Sequence, residues 1–178
     1  MRYGWGENVR GHIINPSLHH YPVGRNLLCT GNGYQGSQRS RPGERSLYVG
    51  VDLIEIERIG LTYSRYPRRF LEKIYTPAEQ SYCRGRAPQL ASRFAAKEAV
   101  MKALGTGVRG VGWRDIEVQR KRGRAPEIVL HDRAKARAES MGIVRIAVSL
   151  SHSREFAIAS VVAQTSDPPL SEGRTTQD

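Results

Sequence analysis

The sequence predicts an α+β fold: a mostly antiparallel sheet packed with one long central helix. Three observations predict it. β-Branched runs open and close the patterned part, at Leu47–Ile54 and again at Ile143–Leu150 and Phe156–Ala163. Between them lies a stretch of helix formers, 89–104, ending on Gly105. The order is strand, helical section, then strands joined by short turns, which is α+β rather than alternating βαβ.

Each element has its own signal. Leu47–Ile54, LYVGVDLI, reads as a buried strand. Residues 55–86 carry helical patterns broken near Pro67 and Pro77. Thr76-Pro77-Ala78-Glu79 supplies an N-cap, a proline at N1 and a glutamate at N3, so a helix starts there. Arg114–Arg120 alternates as a strand with Ile116 and Val118 on one face, and Lys121–Arg124 turns it into a second strand, Glu127–Leu130. Asp132–Met141 forms a short helix closed by Gly142. Ile146, Val148 and Leu150 share one face of the next strand, and an SHSRE turn leads to the last.

The folded domain is therefore 47–164, and no internal repeat is present. Residues 165–178, with Pro168-Pro169, read as a loose tail. Residues 1–46 hold eight glycines and three prolines with no persistent period, so a disordered extension is expected; a start assigned too far upstream explains it equally well. Gly31–Gly36 matches the dinucleotide fingerprint letter for letter, but no helix can easily follow it, so it carries no cofactor expectation. His19-His20 is read as an accident of composition. The extension is Arg-containing and acid-poor without an amphipathic period, unlike a transit peptide.

Composition excludes several classes. No apolar run reaches membrane-spanning length, and no secretory leader is visible. Cys29 and Cys83 lack metal-ligand spacing, and a reducing, cytoplasmic setting is expected. Net charge is +11, and 47–164 alone carries 21 Lys and Arg against 12 Asp and Glu, so the folded part meets an anion. A basic nucleic-acid binder is the competing class. Few aromatics are interleaved with the basic residues, and it gives the acidic residues below no purpose, so no nucleic-acid partner is expected.

Those acidic residues stand out because they interrupt apolar runs. Asp52 sits inside Tyr48–Ile54 and reads either as a strand-end residue reaching solvent or a nearby Arg, or as a buried carboxylate that must be paired or bind a metal. Glu98 lies inside Phe94–Leu104, with Lys102 one turn on; the pair reads either as an i,i+4 ion pair or as a site for a metal and a phosphate. Two carboxylates with room for water and phosphate oxygens suit Mg²⁺. Gly105, Gly107, Gly110 and Gly112 let the following loop approach a ligand. Ser149–Ser153 with Arg154 reads as turn chemistry or as a polar rim for phosphate, with no nucleophile elbow around it. Arg58, Arg65, Arg68, Arg69, Lys73, Arg84 and Arg86 form a basic face, either solvated or docking an anionic partner.

GVDLIEIERI (50–59), RFAAKEAVMKALGTG (93–107) and SLSHS (149–153) stand in this order at suitable distances. Together they resemble the holo-acyl-carrier-protein synthase family, the small phosphopantetheinyl transferases, across about 47–164. The resemblance implies Mg²⁺-dependent transfer of 4′-phosphopantetheine from coenzyme A to a serine of acidic apo-acyl carrier protein, as in fatty acid biosynthesis. It implies metal ligation by Asp52 and Glu98 and phosphate contact by Lys102. It implies coenzyme A binding by Arg93 and His152, to which the glycine loop and the polar rim add Gly105 and Ser151, and carrier docking by Arg58, Arg65 and Arg68. Either Glu98 or a metal-bound water is the base. The implied assembly is a homotrimer with sites between subunits. The long N-terminal extension is the one departure.

Overall fold

The structure, a computed structural model, describes residues 45–121 and 123–166 together with Gly6–Glu7 and Ile13–Ile14. The last two form strands β1 (Gly6–Glu7) and β2 (Ile13–Ile14), an antiparallel ladder pairing Gly6 with Ile14 and Glu7 with Ile13. This ladder was not expected; two residues a side leave no period in a sequence. It belongs to a unit of its own, 1–32. The remaining expectations for 1–44, the fingerprint, the paired histidines and Cys29 among them, fall outside the described residues, as does the tail beyond 166.

In the second unit, β3 (Leu47–Glu55) is followed by helices α1 (Ile56–Arg65), α2 (Pro67–Ile74), α3 (Pro77–Cys83), α4 (Ala87–Ala103) and the short α5 (Gly107–Gly110). A 3-10 turn at Trp113–Asp115 leads to β4 (Ile116–Gln119) and β5 (Glu127–Leu130), then α6 (Asp132–Ser140), β6 (Ile143–His152) and β7 (Phe156–Thr165). One sheet has the antiparallel order β3-β7-β6, the other pairs β4 with β5.

Most starts and stops follow the sequence. Pro67 opens α2, and Thr76 with Glu79 closes a reciprocal capping box on α3. At the end of α4 the Gly105 N–H bonds Lys102 O and the Thr106 N–H bonds Met101 O, a Schellman arrangement that needs the φ of +65° at Gly105. Two expectations are corrected. Arg114 and Asp115 lie in a 3-10 turn rather than in β4, because the Asp115 carboxylate accepts the Gly112 N–H. The expected open glycine loop after α4 is partly helical at Gly107–Gly110.

The three-stranded sheet has two distinct faces. Gly50, Asp52 and Ile54 on β3, Ala157, Ala159, Val161 and Ala163 on β7, and Ile146, Val148 and Leu150 on β6 look inward, toward α4. α4 is buried on nearly all sides and meets β3 at Ala99 and Ala103. The approach is so close that a Cβ at Gly50 would drive into the Ala99 carbonyl. That contact explains the glycine inside an otherwise β-branched strand. The outer face is different: Leu47, Val49, Val51 and Leu53 on β3 and Phe156, Ile158 and Val162 on β7 are all exposed.

Candidate functional site

Asp52 and Glu98 meet because β3 and α4 pack face to face. Asp52 follows Gly50 by two residues, so it shares the inward face, and its side chain is one tenth exposed. Glu98 is half-buried on α4 and within hydrogen-bonding reach of Asp52. Burial first, and the neighbouring Asp52 carboxylate second, raise the Glu98 carboxyl above the usual range; Lys102 and Arg58 pull it back only in part.

Lys102 reads differently from its i,i+4 spacing. Its Nζ donates to Asp52 Oδ1 at 3.0 Å and to the Val51 carbonyl at 2.8 Å, so its ion-pair partner is Asp52 rather than Glu98. The long stem reaches off the helix to the strand, where the more deeply buried carboxylate needs the cation more. With its side chain 46% exposed, Lys102 can turn to an incoming anion. Two carboxyls and one ammonium therefore sit at the β3–α4 seam, and no third His, Cys, Asp or Glu joins them among the described residues.

The remaining expected residues fall at two other places. Arg93 is 3% exposed and lines a cleft with Ser151 and His152, of roughly 310 Å³, between α4 and the end of β6. Its guanidinium stacks on Tyr82 at 4.0 Å and donates from Nη1 to the Gln89 carbonyl at 3.3 Å. Arg93 is five residues before Glu98, about 140° round the helix, and about 180° from Lys102. The cleft and the carboxyl seam thus lie on different flanks of α4. Gly105 stands at the end of α4, steadied by Arg137, whose Nε donates to Leu104 O at 3.1 Å. Arg58, Arg65 and Arg68 are exposed on α1 and α2. Arg65 lies 5.3 Å from the Tyr66 ring, Arg68 pairs with Glu72 at 2.8 Å, and Arg58 is near enough to Glu98 for its charge to lower that pKa.

Lys97 was missed. It is fully buried, its Nζ pairing with Glu79 Oε2 at 2.7 Å and donating to Trp113 O at 2.9 Å and to Ile116 O. The other Glu79 oxygen accepts the Val118 N–H at 2.9 Å. A second lysine inside a helix buried all round was the available signal, since a buried ammonium must be paired. Gln89 and Arg120, which also line the cleft, left no sequence signal.

The β3–α4 seam thus joins two acidic side chains and a lysine on an α+β scaffold. The sequence profile of the 4′-phosphopantetheinyl transferase superfamily matches residues 48–161, and the chain belongs to that superfamily. Its relatives narrow the class. The holo-[acyl-carrier-protein] synthase of Moorella thermoacetica is 46% identical over 123 residues, 67% of this chain and 95% of the relative. That of Dehalococcoides mccartyi is 50% identical over 118 residues, 66% of this chain and 98% of the relative. Among solved structures, the Helicobacter pylori synthase in complex with coenzyme A superposes with TM-score 0.60 at 34% identity, covering 65% of this chain and 98% of that one. The ACPS–CoA complex from Chronobacterium ammoniagenes gives 0.61 at 30%, covering 68% and 98%. The chain is a transferase of the phosphopantetheinyl class. Among the described residues no helix is long and apolar enough to cross a membrane.

Proposed function

We propose that the chain transfers 4′-phosphopantetheine from coenzyme A to a serine of an acidic apo-acyl carrier protein in the cytoplasm, with Mg²⁺, and releases adenosine 3′,5′-bisphosphate. The observation that supports this best is the pair of carboxyls, Asp52 and Glu98, facing each other beside Lys102. The donor set fits Mg²⁺: two hard oxygens from the protein leave positions for water and phosphate oxygens. The raised Glu98 pKa marks a charge deficit at that point, which a divalent cation would fill. When bound, the cation supplies charge neutralisation across the pyrophosphate of coenzyme A.

The chain's own residues do the rest. Lys102 leaves Asp52 for the phosphate and offsets charge developing on the departing bisphosphate. Glu98, its carboxyl raised above the usual range by burial and by Asp52, is the group placed to accept the serine proton. The serine oxygen bonds the phosphorus nearer the pantetheine, and the bond from that phosphorus to the bridging oxygen breaks. Arg65 and Arg68, exposed on α1 and α2, attract the acidic carrier, and Arg58 is near enough to Glu98 for its charge to act on that carboxyl.

Two features support sites shared between copies in a homotrimer. The Arg93 cleft and the carboxyl seam occupy different flanks of α4, so one extended ligand touches both most easily by bridging two copies. The uncovered apolar face of β3 and β7 is of the kind that packs against further copies of itself.

Incubation of the full chain with coenzyme A, Mg²⁺ and apo-carrier protein, followed by weighing the carrier, tests the proposal. A phosphopantetheine-sized gain is expected, and Glu98→Gln is expected to slow it roughly 100-fold or more. An unmodified carrier overturns the reaction; unchanged turnover by Glu98→Gln overturns the site. The native mass in the same experiment is expected to correspond to three copies.

A further inference from the structure

The cleft between α4 and β6 has a chemistry that the expected residues do not exhaust. Arg93 from α4, Arg120 from the end of β4 and His152 from the end of β6 converge on it. No carboxylate is among the described residues that line it, and Arg120 has no ion-pair partner among them. Two buried polar atoms on its wall are unpartnered: the Nε of Arg93, a donor, and the Oε1 of Gln89, an acceptor. Buried groups of this kind are rarely left unsatisfied, and leaving them so is costly. Arg93 is itself 97% buried, its 3% exposure leaving it held in place by Tyr82 and the Gln89 carbonyl.

The two orphans ask for different things. Arg93 and Arg120 ask for an anion, and arginine suits phosphate through its planar fork of donors. The Gln89 oxygen asks for an N–H or O–H, which a fully ionised phosphate lacks. A side-chain amide is complementary to the donor–acceptor edge of adenine. One occupant carries both features: a phosphorylated nucleoside. Resting on the function proposed above, that is the 3′-phosphoadenosine end of coenzyme A, the pyrophosphate being taken by the carboxyl seam.

We propose that Arg120 is a specificity-determining residue, the group that makes the cleft prefer coenzyme A over its 3′-dephospho form. Arg93 is committed on one side to Tyr82 and on another to the Gln89 carbonyl, so it cannot surround a phosphate alone. Arg120 approaches from a different element and is exposed, so it is free to close on the phosphate from the open side.

The test compares the wild type with Arg120→Gln and Arg120→Lys, using coenzyme A and 3′-dephospho-coenzyme A as donors. A second readout titrates each protein with adenosine 3′,5′-bisphosphate and with adenosine 5′-monophosphate by calorimetry. The wild type is expected to prefer the 3′-phosphorylated form in KM and in affinity. Arg120→Gln is expected to shrink that preference roughly tenfold or more, with kcat little changed, because one charge-assisted contact is lost. Arg120→Lys is expected to restore part of it. An unchanged preference in Arg120→Gln overturns the proposal, as does an equal loss for both donors. If the wild type transfers nothing, the proposed function fails, and the bisphosphate titration still decides whether Arg120 reads a 3′-phosphate.

Discussion

Lys97 and Glu98 are neighbours in the chain and opposites in the structure. Lys97 is sealed: its ammonium meets the Glu79 carboxylate and two backbone carbonyls, with no exposed surface. Glu98 is half-buried beside a second carboxyl, and the one lysine nearby is spent on Asp52. The charges of the first cluster close on themselves; in the second the two carboxyls are only partly offset by Lys102 and Arg58, and one side is open. This is the physical difference between an ion pair that holds a fold and one that waits for a cation. Both are written in the same three letters, KEA, so residue type alone could not separate them.

The sealed cluster is the place for the largest effect. Glu79 and Lys97 tie α3, α4 and the start of β4 together, since Glu79 also takes the Val118 N–H and the Thr76 N–H. Lys97→Met leaves a buried carboxylate without its cation and is expected to cost about 3–5 kcal/mol in urea unfolding. Lys97→Met with Glu79→Gln removes both charges while keeping an acceptor for Val118, and is expected to recover a large part of that loss. A double variant no more stable than the single would mean that the pair is not the cross-link described. Burial lowers the Lys97 pKa against the pull of Glu79, in keeping with an ammonium held by its partner rather than by water.

How much of this was legible beforehand follows the same division. The strand with Asp52, the capping box at Thr76 and the helix ending on Gly105 were all readable, because each rests on local chemistry or on a period. The juxtaposition of Asp52 with Glu98 followed from asking why a carboxylate interrupts an apolar run. The same question put to Lys97 would have predicted its pairing, though not with whom, since Glu79 lies 18 positions away and was already explained as a cap. The partner of Lys102 was not readable at all. Helical spacing pointed to Glu98, and only the strand's position against the helix made Asp52 the better match. Gln89 and Arg120 come together from elements whose packing no local pattern encodes.

A smaller effect is expected at the open cluster when its lysine is removed. Lys102→Met leaves Asp52 beside Glu98 without its ion-pair partner, at a cost of about 1 kcal/mol, because Lys102 is nearly half exposed and solvent screens it. Mg²⁺ should erase most of that loss, whereas it should do nothing for Lys97→Met. Equal rescue of both variants would abolish the distinction between the two clusters.

The smallest effect on stability has the opposite sign. The Glu98 carboxyl is raised in the folded chain by burial and by Asp52. Well below the ordinary glutamate value, about 4.3, both folded and unfolded chains hold the proton and Glu98 contributes nothing. As pH rises through that value, the unfolded chain releases its proton first while the folded one keeps it, so stability falls until the raised pKa is passed. Above it the full cost of a buried, repelled carboxylate persists. Glu98→Gln carries no such charge. In metal-free buffer its melting temperature should therefore match the wild type near pH 4 and exceed it at pH 7 by roughly one or two degrees. Mg²⁺ binds the folded wild type and should close or reverse that gap, leaving the variant unmoved. A gap of constant size from pH 4 to 7 would show that Glu98 carries no unmet charge, and the contrast with Lys97 would then be one of exposure alone.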